Sequence, residues 1–156
     1  MSATKSAVHA PGFEDFVVGE SWRTYRRTVT EADLSNFTQL AGLNMPIFVD
    51  ADWAQREGPH GGRIAPGFLI CTYSAGMLES VLGANTLAGL SMDGFHFKMP
   101  VRPGDTLCCE VMIEGAKPTS DGKRGVLSLA VTVLNQRAEA VLVYKTRVLM
   151  KMRAAH

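Results

Sequence analysis

Residues 67–83, GFLICTYSAGMLESVLG, hold one acidic and no basic side chain. Large apolar residues fall on nearly every face of the helix they would form. A helix that is hydrophobic all round has to be enclosed by the rest of the chain. This run belongs to the longest apolar stretch, near residues 64–90, which is interrupted by Gly67, Ser74, Glu79, Ser80, Gly83 and Asn85. Those interruptions argue against a bilayer span and for a buried helix.

What encloses the helix is written in the second half of the chain, where the period changes. Residues 95–99, 105–114, 125–136 and 138–151 read as four strands. In the third, Val126, Ser128, Ala130 and Thr132 face one way, and Leu127, Leu129, Val131 and Val133 face the other. The turns are PGD at 103–105, PTSDGK at 118–123 and a tight link at 135–138. Upstream, residues 22–29 form a further β-like run. A helix from Glu31 to Ala41 follows, with Thr30 as N-cap, Asp33 near its positive end and Gly42 as terminator. Leu34, Phe37 and Leu40 supply its expected buried stripe. Residues 43–63 read as a long loop, rich in Gly and Pro, around a short helix at 50–57. A loop of that length in a compact domain is more often functional than idle.

The expected architecture is α+β: one long central helix wrapped by a curved antiparallel sheet. At 156 residues it makes one domain. Residues 1–12 read as a flexible lead without the apolar run of a signal peptide, and residues 13–153 as the domain. Sixteen basic against fifteen acidic residues leave no basic stripe for nucleic acid. Three cysteines, with Cys108 and Cys109 adjacent, suit neither a disulfide framework nor a zinc site, and point to a reducing cytoplasm. A sheet edge left bare invites a second subunit, so a homodimer or higher homo-oligomer is expected.

Three segments together carry a resemblance: FTQLAGLNMPIFVDADWA (37–54), GGRIAPGFL (61–69) and MPVRPGDTL (99–107). In their order and spacing the chain resembles the MaoC-like hotdog family, the R-specific enoyl-CoA hydratases and dehydratases. The resemblance covers residues 13–150. It implies a single hotdog fold, an acyl-CoA or acyl-carrier thioester as substrate or ligand, no further cofactor and no metal. It also implies active sites near subunit interfaces, and in some members pairing with a separate, active hotdog subunit.

The family's hydratases carry an Asp, an Asn two residues on, then Pro, an aliphatic residue and a His. Pro46, Ile47 and Asp50 match that frame here. The Asp position is Leu43, the Asn position is Met45 and the His position is Phe48. Leu43 and Phe48 exchange no protons, so the family's route to activated water is closed. The third requirement of the chemistry is an acceptor site for the thioester oxygen, and Gly67 offers it. At a helix N-terminus, unpaired N–H groups and the dipole favour an anion, and a missing side chain allows close approach. A glycine there also serves simply to relieve crowding at a turn.

Replacement proton carriers have to come from elsewhere. His60 lies in the Gly-rich loop, and histidine is the residue type most often used to carry protons, yet the same position suits a solvated histidine. Asp50 is a candidate acid or base and equally a helix cap. Asp52 and Glu57 suit solvent, and Glu79 suits a helix end or a buried carboxylate. Cys71 reads as a small core residue. Arg63, Arg102, Lys123 and Arg124 are candidates for coenzyme A phosphates. Leu43, Met45, Phe48, Phe68 and Tyr73 suit either an acyl tunnel or the core. Hydration, a non-catalytic subunit and a thioesterase therefore all stand as functions of this sequence.

Overall fold

The computed structural model describes residues 11–153. The first ten positions of the expected lead lie outside them, and Pro11 and Gly12 are buried. The strands are β1 (Ser21–Arg23), β2 (Arg27–Thr28), β3 (Thr86–Phe97), β4 (Thr106–Pro118), β5 (Arg124–Leu134) and β6 (Ala140–Lys151). The helices are α1 (Glu31–Ala41), α2 (Pro46–Val49), α3 (Ala51–Arg56) and α4 (Gly67–Leu82). All strand pairs are antiparallel, in the order β1-β4-β5-β6-β3, with β2 also on β4. The α+β arrangement of a long helix held by a curved sheet is the one expected.

The alternation in β5 places the core. Leu127, Leu129, Val131 and Val133 are buried, and they belong to one apolar cluster with Met77, Leu78 and Val81 of α4. Each fully buried Leu or Val contributes about 1.5–3 kcal/mol of transfer free energy. Ser74 is a buried polar residue of α4, and its hydroxyl meets the Tyr144 hydroxyl at 3.0 Å. By composition and length Gly67–Asn85 would suffice to cross a membrane, but half of that window is buried, as befits a core helix.

Helix α1 starts where its signal stands. The Thr30 hydroxyl accepts from the Asp33 N–H at 3.1 Å, and the Asp33 carboxylate accepts from the Thr30 N–H at 2.8 Å. Burial pushes the Asp33 carboxyl up, but hydrogen bonds from Thr30, with the polar Tyr73 hydroxyl and the Arg27 guanidinium nearby, outweigh it and hold it below its ordinary value. Thr30→Ala is expected to cost about 1 kcal/mol, read as a lowered urea midpoint with an unchanged slope.

Five expectations are corrected. Leu40 is 87% exposed and Thr38 takes the interior place; six residues at 100° each carry Leu40 off the Leu34 stripe. The β-like run at 22–29 is two short strands. The gap is bridged by Thr24, whose hydroxyl accepts from the Cys109 N–H at 2.9 Å. The loop holds α2 besides α3, begun by Pro46 at the first helical position. Helix α4 takes its expected place within the apolar stretch at 64–90, but the strand after it starts earlier than expected. Gly83, with φ 68°, ends α4, and β3 begins at Thr86 rather than Phe95. Register shifts at three points along β3 break the two-residue period that would have revealed it. Finally, α4 is not enclosed on every side: Phe68, Thr72, Ala75, Gly76 and Glu79 form an exposed stripe. Beside that stripe runs β3, which among the described residues pairs only with β6, leaving its other edge open.

Candidate functional site

The long loop returns to the sheet at Ala65, whose N–H donates to the Val101 carbonyl at 2.7 Å. Pro66 caps α4 with φ −55°, a value its ring imposes. Helix α4 therefore opens with Gly67 against the sheet. The Leu69 N–H reaches the Pro66 carbonyl at 3.0 Å. The N–H groups of Gly67 and Phe68 have no acceptor among the described residues, as the first turn of a helix requires. A Cβ on Gly67 would stand 2.6 Å from the Phe97 ring, so only glycine fits this contact.

A cavity of about 470 Å³ opens at that helix end. Phe48 comes from α2, His60 from the loop, Gly67 and Phe68 from α4, and Phe97 and Lys98 from the end of β3. Its walls are mostly apolar. His60 and Lys98 are the ionisable side chains on it, and no carboxylate lines it.

Two arginines hold the loop by its main chain. Arg102 donates to the His60 carbonyl. Arg63 donates to the Phe48 carbonyl at 3.5 Å and pairs with Glu31 of α1. The Arg63 side chain is only 21% exposed, which makes it a fastening rather than an open phosphate cradle.

The structure brings His60, Phe48, Gly67 and Phe68 together on the cavity wall and leaves the other candidates off it. Leu43 is half-buried at the end of α1, where its N–H donates to the Thr38 carbonyl at 2.9 Å. Met45 is exposed. The Asp50 carboxylate accepts from the Trp53 N–H at 2.8 Å and caps α3. Asp52 pairs with Arg56, which also approaches Glu57. Arg124 pairs with Asp121 in the β4–β5 hairpin. Tyr73 is buried beneath the Arg27 guanidinium, 4.0 Å from its ring. Burial raises the Cys71 thiol to about 11, so it stays protonated and fits the core reading. Sequence reasoning missed Lys98 and Phe97. Their signal was the alternation in FHFKMP immediately ahead of the 99–107 segment.

The arrangement offers two main-chain donors at the positive end of a helix. They can stabilise charge gathering on a carbonyl oxygen. On the same cavity wall stands His60, whose imidazole can donate or accept a proton. The described residues hold no cluster of His, Cys, Asp and Glu able to ligate a metal.

Comparison with known proteins decides the family: the MaoC like domain profile matches residues 15–135. The chain belongs to the MaoC-like family. This MaoC-like chain is 32% identical over 151 residues to a beta-methylmalyl-CoA dehydratase of Chloroflexus aurantiacus. That match covers 95% of the chain and 43% of the relative. It is 34% identical over 121 residues to an (R)-specific enoyl-CoA hydratase of Rhodospirillum rubrum, over 76% of the chain and 78% of the relative. A Mycobacterium tuberculosis protein described as having a double hotdog fold superposes with a TM-score of 0.83 at 19% identity. It covers 94% of this chain and 46% of that one, and supports the fold alone. The MaoC-like chain thus has a hotdog fold, and spans under half the length of the Chloroflexus dehydratase.

Proposed function

We propose that the protein binds an acyl-CoA or acyl-carrier thioester with its carbonyl at the N-terminus of α4. It then acts in hydratase or dehydratase chemistry through a non-standard site. The observation that carries this is the cavity itself, where Gly67 and Phe68, whose N–H groups have no acceptor among the described residues, line one apolar chamber with His60. The main chain takes the charge of the enolate-like oxygen, and His60 takes the place of the missing polar residues as proton carrier. The names of the Chloroflexus and Rhodospirillum relatives, a dehydratase and a hydratase of CoA thioesters, support this reading.

The test is loss of enoyl absorbance across a panel of short, branched and long enoyl-CoA thioesters. Turnover is expected in the parent and is expected to fall about 10²-fold or more in His60→Ala, with thioester binding retained. Turnover that survives in that variant removes His60 from the chemistry.

A second reading is favoured by the Phe48 ring on the cavity wall: a non-catalytic subunit that holds the acyl group beside an active homologue. Thioester binding without turnover on any panel member would select it. In either reading the partner is another hotdog subunit on the open edge of β3. Phe68, Leu87, Leu90, Met92 and Phe97 are all exposed there. A twelve-residue edge runs about 40 Å. With about 20 Å of sheet and helix depth, it offers about 800 Å², one partner's share of a standard interface.

A further inference from the structure

His60 stands half-buried in GPHGG, residues 58–62, a segment that is loose by sequence. Gly61 and Gly62 take φ +63° and +153°, values that glycine adopts readily, and each glycine widens the range that an unheld chain explores. The main-chain bonds here are local: the Gly58 N–H donates to the Trp53 carbonyl at 3.1 Å, and the Gly61 N–H to the Gly58 carbonyl at 3.4 Å. Among the described residues, the hydrogen bond that ties 58–62 to a distant part of the chain is the one from the Arg102 guanidinium to the His60 carbonyl. The guanidinium also passes Gly62, with Nη1 3.8 Å from where a Cβ would stand.

Arg102 is itself well anchored. Val101 before it is buried, and its carbonyl takes the Ala65 N–H at 2.7 Å. The Arg102 N–H donates to the Asp105 carboxylate at 2.9 Å, and the Asp105 N–H donates back to the Arg102 carbonyl at 3.0 Å. The Gln136 amide donates to the other Asp105 oxygen at 2.8 Å. The bond to His60 is exposed, so water can replace it at little cost in stability. Water does not replace the restriction it places on the histidine.

We infer that Arg102 is the positioning residue of this site: by gripping the His60 carbonyl it holds the imidazole at the chamber of Gly67, and it acts on the reaction through His60 rather than on the substrate. This rests on the thioester reading above. Proton transfer needs its heavy atoms within about 2.6–3.2 Å of each other, and a misplacement of about 1 Å costs about 10²-fold in rate. A glycine-rich loop released at its distant tie has that freedom. The same guanidinium on a coenzyme A phosphate would instead show in substrate affinity.

Steady-state enoyl-CoA turnover by the parent, Arg102→Leu, Arg102→Lys, His60→Ala and the Arg102→Leu/His60→Ala double variant tests this, with urea midpoints as the folding control. Arg102→Leu is expected to lower kcat by about 10²-fold, with KM within about two-fold of the parent. Arg102→Lys, which keeps a cationic donor, should recover most of the loss. In the His60→Ala background, Arg102→Leu should cost nothing further, which a merely structural role would not produce. A second arm dispenses with turnover: the ¹⁵N order parameters of Gly61 and Gly62, near about 0.85 in the parent, should fall below about 0.6 in Arg102→Leu. A raised KM at unchanged kcat, or an equal loss in the His60→Ala background, overturns the inference while the thioester reading survives. Unchanged order parameters overturn it as well. If His60→Ala turns over like the parent, or no protein turns over, the reading of His60 as proton carrier falls; falling order parameters then still uphold Arg102 as the residue that places His60.

Discussion

Leu43→Asp combined with Phe48→His is expected to raise enoyl-CoA hydration by about 10²–10⁴-fold over the parent, the usual worth of a positioned acid and base. Of the two positions, Phe48 is on the cavity wall and Leu43 is off it, so the new carboxylate has to reach the chamber from the end of α1. Phe48 already lines the cavity, and its carbonyl is held by Arg63. A histidine there enters a position that is fixed before substrate arrives. Leu43 is half-buried next to the closing turn of α1, so a carboxylate there comes under partial desolvation, which raises its pKa toward the working range. Each single change supplies half of a proton relay and should give much less. The measurement is initial rate by enoyl absorbance, with thioester binding as the control for folding. A folded, binding double variant with no added rate would mean that more of the chamber than these two side chains has diverged.

Gly67→Ala should weaken thioester binding by about ten-fold or more and destabilise the fold. Alanine is the better helix former by up to about 1 kcal/mol, which by itself would favour the substitution. Against that, the new methyl stands 2.6 Å from the Phe97 Cε1 and Cζ atoms. Overpacking of this kind costs about 1–3 kcal/mol, so the clash wins. The ring is pushed into the chamber that the acyl group needs. Phe97→Leu is expected to weaken the penalty, and a double-mutant cycle of urea midpoints would show coupling between the two positions. Additive effects would place the cost of alanine somewhere other than this ring.

Much of the fold was legible because its signals are local. Thr30 and Gly42 bound α1 by capping, and the strict alternation of β5 told inside from outside. The strand β3 was hidden for a physical reason: bulges at three places destroy its period, and its open edge has no packing face to enforce one. The exposed stripe of α4 was hidden because small apolar residues such as Ala75 and Gly76 carry no polar flag. At the site, Gly67 was readable from the Pro66–Gly67 junction and His60 from its loop. Lys98 was not, because its place on the wall depends on where β3 ends relative to α4, a contact between segments thirty residues apart along the chain. Arg63 and Arg102 carry the charge suited to phosphate, yet in the fold both guanidiniums are turned to main-chain carbonyls of the loop.

Those two arginines grip oxygen atoms that every amino acid possesses. The two ends of the segment, at Phe48 and His60, are thereby held through atoms that do not depend on the side chains at those two positions. A chain tethered in this way can exchange polar for greasy groups, or the reverse, while its frame persists. That makes the segment a natural place to graft new reactivity.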